Sequence, residues 1–133
     1  MWAVVANLLG DSRPASGATI LIVDDHSDFR AFIRRLLETG GFRVVGEAAG
    51  VAEARDAVPA LQPEVVLLDI QLPDGDGLQL ARELTDTDGS PAVVLISSRE
   101  RADFGDRLDC TGARGFISKA DLSPRAVADL VDG

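Results

Sequence analysis

The feature that most constrains this chain is a set of four short apolar runs, each ending in charged or hydroxyl residues. The runs are TILIVDD (19–25), EVVLLD (64–69), PAVVLISS (91–98) and ARGFISK (113–119). Rich in Val, Ile and Leu and too short for typical helices, they indicate strands buried on both faces. A fold built on these runs must cover a sheet on two sides and place polar side chains at its strand ends.

Segments with helical periodicity separate these runs. The first has apolar residues at helical spacing, which predict one inward-facing stripe: Phe29, Phe32, Ile33, Leu36 and Leu37. Helices are also predicted over 51–61, 77–86 and 122–133, and a weak one, interrupted by Gly105, over 99–112. FRVVGEA (42–48) predicts a further strand near a sheet edge. Strands that alternate with helices predict an α/β fold with a parallel five-stranded sheet.

Size and charge bound the function classes. The 133 residues favour a single domain, and a formal net charge of −9 argues against direct nucleic-acid binding. No apolar run approaches the roughly 18 residues that span a bilayer. The single cysteine excludes an internal disulfide. Residues 1–18 are interpreted as an extension and linker, and residues 19–133 as the domain. The extension is either a tail or an apolar docking segment.

Polar residues at four strand ends are the candidate site. In open parallel sheets, ligands bind beyond the carboxyl ends of the strands. The residues that follow or close the four apolar runs are Asp24, Asp25, Asp69, Ser97 and Lys119. Three converging carboxylates repel one another and require cations, and a hard ion such as Mg²⁺ accepts carboxylate and phosphate oxygens. Lys119 is the sole lysine among 13 basic residues.

These residue types suit phosphoryl transfer to a carboxylate. An aspartate can act as the nucleophile and form an aspartyl phosphate, while the metal, an ammonium and a hydroxyl hold the phosphoryl oxygens. Asp69 is the candidate acceptor because a loop with Pro73, Gly75 and Gly77 follows it.

Each residue also has a purely structural interpretation. Asp24 and Asp25 could cap the first helix, and Asp69 could be a turn acid. Asp74 and Asp76 are predicted to be turn acids only. Ser97 could simply end a strand. His26, the only histidine, reads as a surface residue, and Cys110 as a buried small residue or an inert thiol.

The motifs ILIVDDH, VVLLDIQLPDGDG, VVLISS and GFISK together resemble the receiver domain of bacterial two-component response regulators. The first two loops are most similar to the NarL/LuxR subtype. The resemblance covers residues 19–131. It implies a flavodoxin-like (βα)5 fold with strand order 2-1-3-4-5.

The resemblance also implies roles for individual residues. Asp69 would accept a phosphoryl group from a sensor histidine kinase in a Mg²⁺-dependent reaction. Asp25, Asp69 and the backbone carbonyl of Gln71 would bind Mg²⁺ directly, and Asp24 would bind it through water. Ser97 and Lys119 would contact the phosphoryl group, and Phe116 would be the aromatic switch residue.

Partners and location follow from the same resemblance. A cytoplasmic protein is expected, whose change of state is read by an output domain, a downstream protein or a second copy in a homodimer. The chain ends at Gly133, so a stand-alone receiver or a fragment lacking a DNA-binding domain is expected. No turnover of a separate substrate is expected.

Two other functions are weighed against this switch. The first is a degenerate receiver that acts only as an interaction module. The second is a Mg²⁺-dependent phosphatase with an aspartyl nucleophile. Such enzymes usually carry a second acid two residues after the nucleophile, where this chain has Gln71.

Overall fold

A five-stranded parallel sheet forms the centre of the protein. The computed structural model describes residues 17–86 and 88–132. The strands are β1 (Thr19–Val23), β2 (Arg43–Ala48), β3 (Val65–Asp69), β4 (Ala92–Ser97) and β5 (Gly115–Ser118). They lie in the order β2-β1-β3-β4-β5, and every pair is parallel. The predicted α/β fold, its strand order and the edge position of β2 are confirmed.

Helices cover both faces of the sheet. They are α1 (Ser27–Thr39), α2 (Val51–Leu61), α3 (Gly77–Leu84) and α4 (Pro124–Asp132). One apolar cluster joins α1 and α4 to the sheet, and the other joins α2, α3 and the segment around Phe104 and Leu108 to the opposite face. The central strand β3 is buried along its whole length, as its unbroken apolar sequence predicts.

Local signals in the sequence set the helix ends. Ser123 Oγ accepts a hydrogen bond from the Ala126 N–H at 3.0 Å, so the predicted cap of α4 is confirmed. Asp76 caps α3 by accepting the Leu78 N–H at 2.9 Å. At the end of α1, Gly41 has a φ of 102°, a conformation that glycine adopts without steric cost.

The predicted fourth helix is wrong in type. Residues 99–112 instead contain two short 3-10 helices, Arg101–Asp103 and Gly105–Cys110. Gly105 has a φ of +58°, which lies in the left-handed region and cannot continue a right-handed α-helix. The apolar residues of this segment that reach the core are Phe104 and Leu108, and Thr111 is also buried.

Burial is also predicted wrongly for Phe32, and the buried alternative for Cys110 is wrong. Phe32 is 62% exposed, because the outer edge of its helical stripe passes beyond the sheet that covers Ile33 and Leu37. Cys110 is exposed at the end of the second 3-10 helix. Among the described residues, no helix combines the length and apolarity needed to cross a bilayer.

Candidate functional site

The sheet register brings the predicted site residues to one edge. Asp24 directly follows β1, and Asp69 is the last residue of the neighbouring β3. Asp69 pairs with Ile96, the residue before Ser97. Lys119 directly follows β5 and begins the 3-10 helix Lys119–Asp121. All these side chains therefore start from the carboxyl ends of parallel strands.

Asp24 is a fully buried carboxylate. Its Oδ1 accepts the His26 main-chain N–H at 2.8 Å, but His26 is itself the N-cap of α1 and no side chain caps this helix, so the capping interpretation of Asp24 is wrong. Its Oδ2 lies 2.6 Å from Lys119 Nζ, yet it receives no directed hydrogen bond and is paired by charge alone. Burial raises the pKa of Asp24, but Lys119 and the His26 N–H outweigh burial and lower this pKa below its ordinary value.

Asp69 is a second buried carboxylate. Its Oδ1 accepts the Gln71 N–H at 3.0 Å, and its Oδ2 lies 3.2 Å from Lys119 Nζ. Burial raises the pKa of Asp69 to about 6, and the charge of Asp24 adds to the rise, while the Gln71 N–H and Lys119 oppose it. The two adjacent buried acids thus differ in pKa, because burial and the Asp24 charge prevail at Asp69 while Lys119 and the His26 N–H prevail at Asp24.

Lys119 joins the two acids. Its ammonium contacts both carboxylates and also lies 4.3 Å from the centre of the Phe29 ring. Burial opposes its charge, but contacts with both acids raise the pKa of Lys119. The sole lysine is therefore charged and is held between two acids and an aromatic face.

Asp25 and His26 complete the acidic pocket. His26 Nδ1 lies 3.1 Å from Asp24 Oδ1 and 3.2 Å from Asp25 Oδ1. One ligand atom from each of Asp24, Asp25, His26 and Asp69 falls within 4.8 Å of every other. The predicted exposure of His26 is correct, but its ring nitrogen faces the acids.

The other three predicted residues lie at the end of β4, just after β3 and on β5. Ser97 is fully buried at the end of β4, and its Oγ accepts the Arg99 N–H at 3.0 Å. Gln71 has an exposed side chain and contributes its main chain beside Asp69. Phe116 is half-buried, and its ring packs against Phe104 with centroids 5.7 Å apart.

Comparison with known proteins identifies the family. The response regulator receiver domain family matches residues 20–131. The chain belongs to the response regulator receiver domains. Proteins of this family act as phosphoacceptors in two-component signalling, with output often through transcription.

Individual relatives agree with this assignment. The transcriptional activator DevR/DosR of Mycobacterium tuberculosis is 36% identical over 119 residues, which cover 86% of this chain and 54% of that protein. A LuxR-family response regulator from Aurantimonas sp. SI85-9A1 is 30% identical with a TM-score of 0.79, over 89% of this chain and 87% of that one. The chain spans about half or less of the length of the curated relatives it matches.

A further solved relative carries ligands. CheY of Borrelia burgdorferi, in a complex with CheX, BeF₃ and Mg²⁺, is 25% identical with a TM-score of 0.76. The match covers 90% of this chain and 96% of that one.

The acidic pocket of this receiver domain suits a hard dication. Three carboxylates share one ammonium there, so negative charge is in excess. Asp24 Oδ2 is a buried oxygen without a hydrogen bond, and the Lys119 ammonium that lies beside it is shared with Asp69. Oxygen ligands and excess negative charge are what Mg²⁺ requires.

Sequence reasoning missed two residues that shape the receiver site. Phe29 is predicted only as core, but its ring lies beside the Lys119 ammonium. Asp74 is predicted as a turn acid, but its carboxylate accepts the N–H groups of Val51 and Ala52 at 2.7 and 3.1 Å and so caps α2 from another loop. No local motif marks either contact. A hint was the absence of a capping side chain at Gly50, which precedes α2.

Proposed function

We propose that this chain is a phosphorylation-controlled switch in which Asp69 accepts a phosphoryl group from a sensor histidine kinase. The observation that carries the proposal is the shared contact of Lys119 with Asp69 and Asp24, at 3.2 and 2.6 Å. It joins acids from two neighbouring strands and a base from a third at one edge of the sheet.

Transfer to Asp69 requires a carboxylate that is ionised and positioned. An Asp69 oxygen would attack phosphorus, the new O–P bond would form, and the bond to the donor's leaving group would break. The Gln71 N–H fixes one carboxylate oxygen of Asp69, and Lys119 pairs with the other. Lys119 and the Gln71 N–H oppose the rise that burial causes, and a pKa of about 6 leaves Asp69 ionised at neutral pH.

Asp24, Asp25, Asp69 and the main-chain carbonyl of Gln71 would hold Mg²⁺. When bound, the ion would supply positive charge that lowers the repulsion between the attacking carboxylate and the phosphoryl oxygens. The Borrelia CheY complex, which carries BeF₃ and Mg²⁺, supports this choice of ion.

Ser97 and Phe116 would report the modification. Ser97 Oγ would turn from the Arg99 N–H toward a phosphoryl oxygen. The half-buried ring of Phe116 would move inward with it, away from Phe104. A downstream protein, an output domain or a second copy of the chain would bind the surface around β5 and so detect this change.

The experiment is labelling with a small phosphodonor in the presence and absence of Mg²⁺. Wild-type protein should gain acid-stable, base-labile phosphate only with Mg²⁺, and Asp69→Asn should gain none. Asp74→Asn is the matched control, because it alters a carboxylate of the same loop outside the pocket. Label on Asp69→Asn, or none on wild type, contradicts the proposal. Steady release of phosphate from small esters would instead favour the phosphatase alternative.

A further inference from the structure

His26 is the pocket residue that the proposed switch leaves unused. The proposed Mg²⁺ site contains oxygen ligands only, yet an imidazole nitrogen stands among them. Its Nδ1 is nearly equidistant from the two carboxylates that precede it in the sequence. It lies 3.1 Å from Asp24 Oδ1 and 3.2 Å from Asp25 Oδ1. The same cluster includes Asp69, within 4.8 Å.

These separations suit ligands of one ion. In an octahedral site with metal–ligand bonds of about 2.1 Å, adjacent ligand atoms lie about 3.0 Å apart. Both contacts of His26 Nδ1 are close to that edge length. A neutral imidazole N–H has a single proton, so it cannot fully satisfy two carboxylate oxygens at once.

A second observation concerns the charge balance of the pocket, where three carboxylates face the single ammonium of Lys119. Asp24 is fully buried, and its Oδ2 receives no hydrogen bond despite the nearby Lys119 ammonium. The buried acid thus sits beside both the imidazole and the remaining carboxylates, with charge still to be compensated.

The nitrogen ligand changes which ion the pocket favours. Mg²⁺ prefers oxygen, whereas imidazole suits zinc and other first-row transition metals, which also bind mixed nitrogen and oxygen sites more tightly. We propose that His26 is a metal ligand of this receiver pocket, and that it gives the pocket a preference for transition-metal dications such as Zn²⁺ over Mg²⁺. The inference rests on the proposed function, because it assigns a new ligand to the same metal pocket.

Calorimetric titration with ZnCl₂ and with MgCl₂ tests this preference. The full chain is used without a histidine tag and with Cys110→Ser, because the exposed thiol would compete for Zn²⁺. The tested variant is His26→Gln, and Asp28→Asn, a change at an acid in the first turn of the same helix, is the matched control.

The expected result is that His26→Gln loses affinity for Zn²⁺ while its affinity for Mg²⁺ changes little. Removal of outer partners alone costs metal sites roughly 10–100-fold in affinity, so loss of a direct ligand should weaken Zn²⁺ binding at least tenfold. Mg²⁺ binding should change less than about twofold, because Mg²⁺ gains little from nitrogen. Asp28→Asn should leave the ratio of the two affinities unchanged.

A spectroscopic readout identifies the ligand directly. His26 is the only histidine, so the imidazole nitrogens give a single pair of NMR signals. Zn²⁺ should shift the Nδ1 signal strongly and the Nε2 signal weakly, and Mg²⁺ should shift neither by as much.

The outcomes separate the two proposals. Equal Zn²⁺ affinity in wild type and His26→Gln, or a static Nδ1 signal, overturns the role of His26 and leaves the Mg²⁺ switch standing. Mg²⁺ that fails to bind, with Zn²⁺ bound through Nδ1, overturns the proposed switch and keeps the ligand. Binding of neither ion contradicts both.

Discussion

Burial of the ionised Asp69 carboxylate lowers the stability of the folded protein. This carboxylate is buried beside Asp24, and burial together with that neighbouring charge raises its pKa to about 6, against an ordinary value of 3.8. The folded protein therefore binds this proton more tightly than the unfolded chain does, and ionisation of Asp69 lowers stability as pH rises from about 4 to about 6. Such a group is kept for function and not for stability.

Asp69→Asn should therefore stabilise the metal-free protein. Asparagine resembles the neutral, protonated carboxyl. The free energy of unfolding of the variant should therefore be about 1–3 kcal/mol higher than that of wild type at pH 7.5. Urea titration of both proteins in excess chelator measures the difference. The gain should shrink toward pH 4.5, where the wild-type carboxyl is protonated. With saturating Mg²⁺ it should also shrink, because only the wild type binds the ion well. A variant that is less stable at pH 7.5 contradicts this account of Asp69.

At the scale of elements, the loop after β3 is tied to a helix from a different part of the chain. Asp74 accepts two N–H groups at the start of α2, while Asp76 caps α3. These two acids fix both sides of the loop that follows Asp69. Side-chain hydrogen bonds thus fix the conformation of this loop.

Asp74→Ala should lower the free energy of unfolding, because it removes the acceptor of two N–H groups at the start of α2. The matched control is Asp74→Asn, which keeps one acceptor oxygen and should cost less. Thermal and urea unfolding measure both. Equal stability of Asp74→Ala and wild type would show that the cross-loop cap contributes nothing.

The segment that contains the two 3-10 helices should be the least stable part of the structure around β5. Between residues 101 and 110 only Phe104 and Leu108 are buried, and the helices are short. Hydrogen exchange should therefore be faster there than in β3 and β4 by several orders of magnitude. Protection equal to that of the central strands would contradict this expectation.

The sequence predicts elements best where one signal dominates. The central strands are unbroken apolar runs, so β3 and β4 could be placed within a residue or two, and with them Asp69 and Ser97. The region of 99–112 has no such run, and a single left-handed glycine decides its conformation. Contacts such as Phe29 with Lys119 join distant segments, so no local pattern contains them.

At the scale of the whole molecule, topology creates the site. All five strands are parallel, so acids and a base from separate strands reach one edge without any local motif bringing them together. Among the described residues the first strand begins at Thr19, and Gly17 and Ala18 already bond to the main chain of Gly41 and Arg43. We propose that residues 1–18 are an extension and 19–133 the domain.

A chain that starts at Gly17 should fold like the full chain. Its free energy of unfolding should lie within about 0.5 kcal/mol of the full-length value, as for changes outside a core. Urea unfolding of the two proteins measures this, with a matched chain starting at Leu21 as the control that must lose stability. A loss above about 2 kcal/mol in the chain starting at Gly17 would place residues 1–16 within the folding unit.

The measurement that tests the central claim most directly is the location of the phosphoryl group. Protein treated with a small phosphodonor and Mg²⁺ is reduced with borohydride, which converts an acyl phosphate to an alcohol, and the altered residue is found by peptide mass spectrometry. We predict reduction at Asp69 alone, and none without Mg²⁺. Reduction at Asp24, Asp25 or any other acid, or none at all in wild type, would contradict the assignment of Asp69 as the phosphoacceptor.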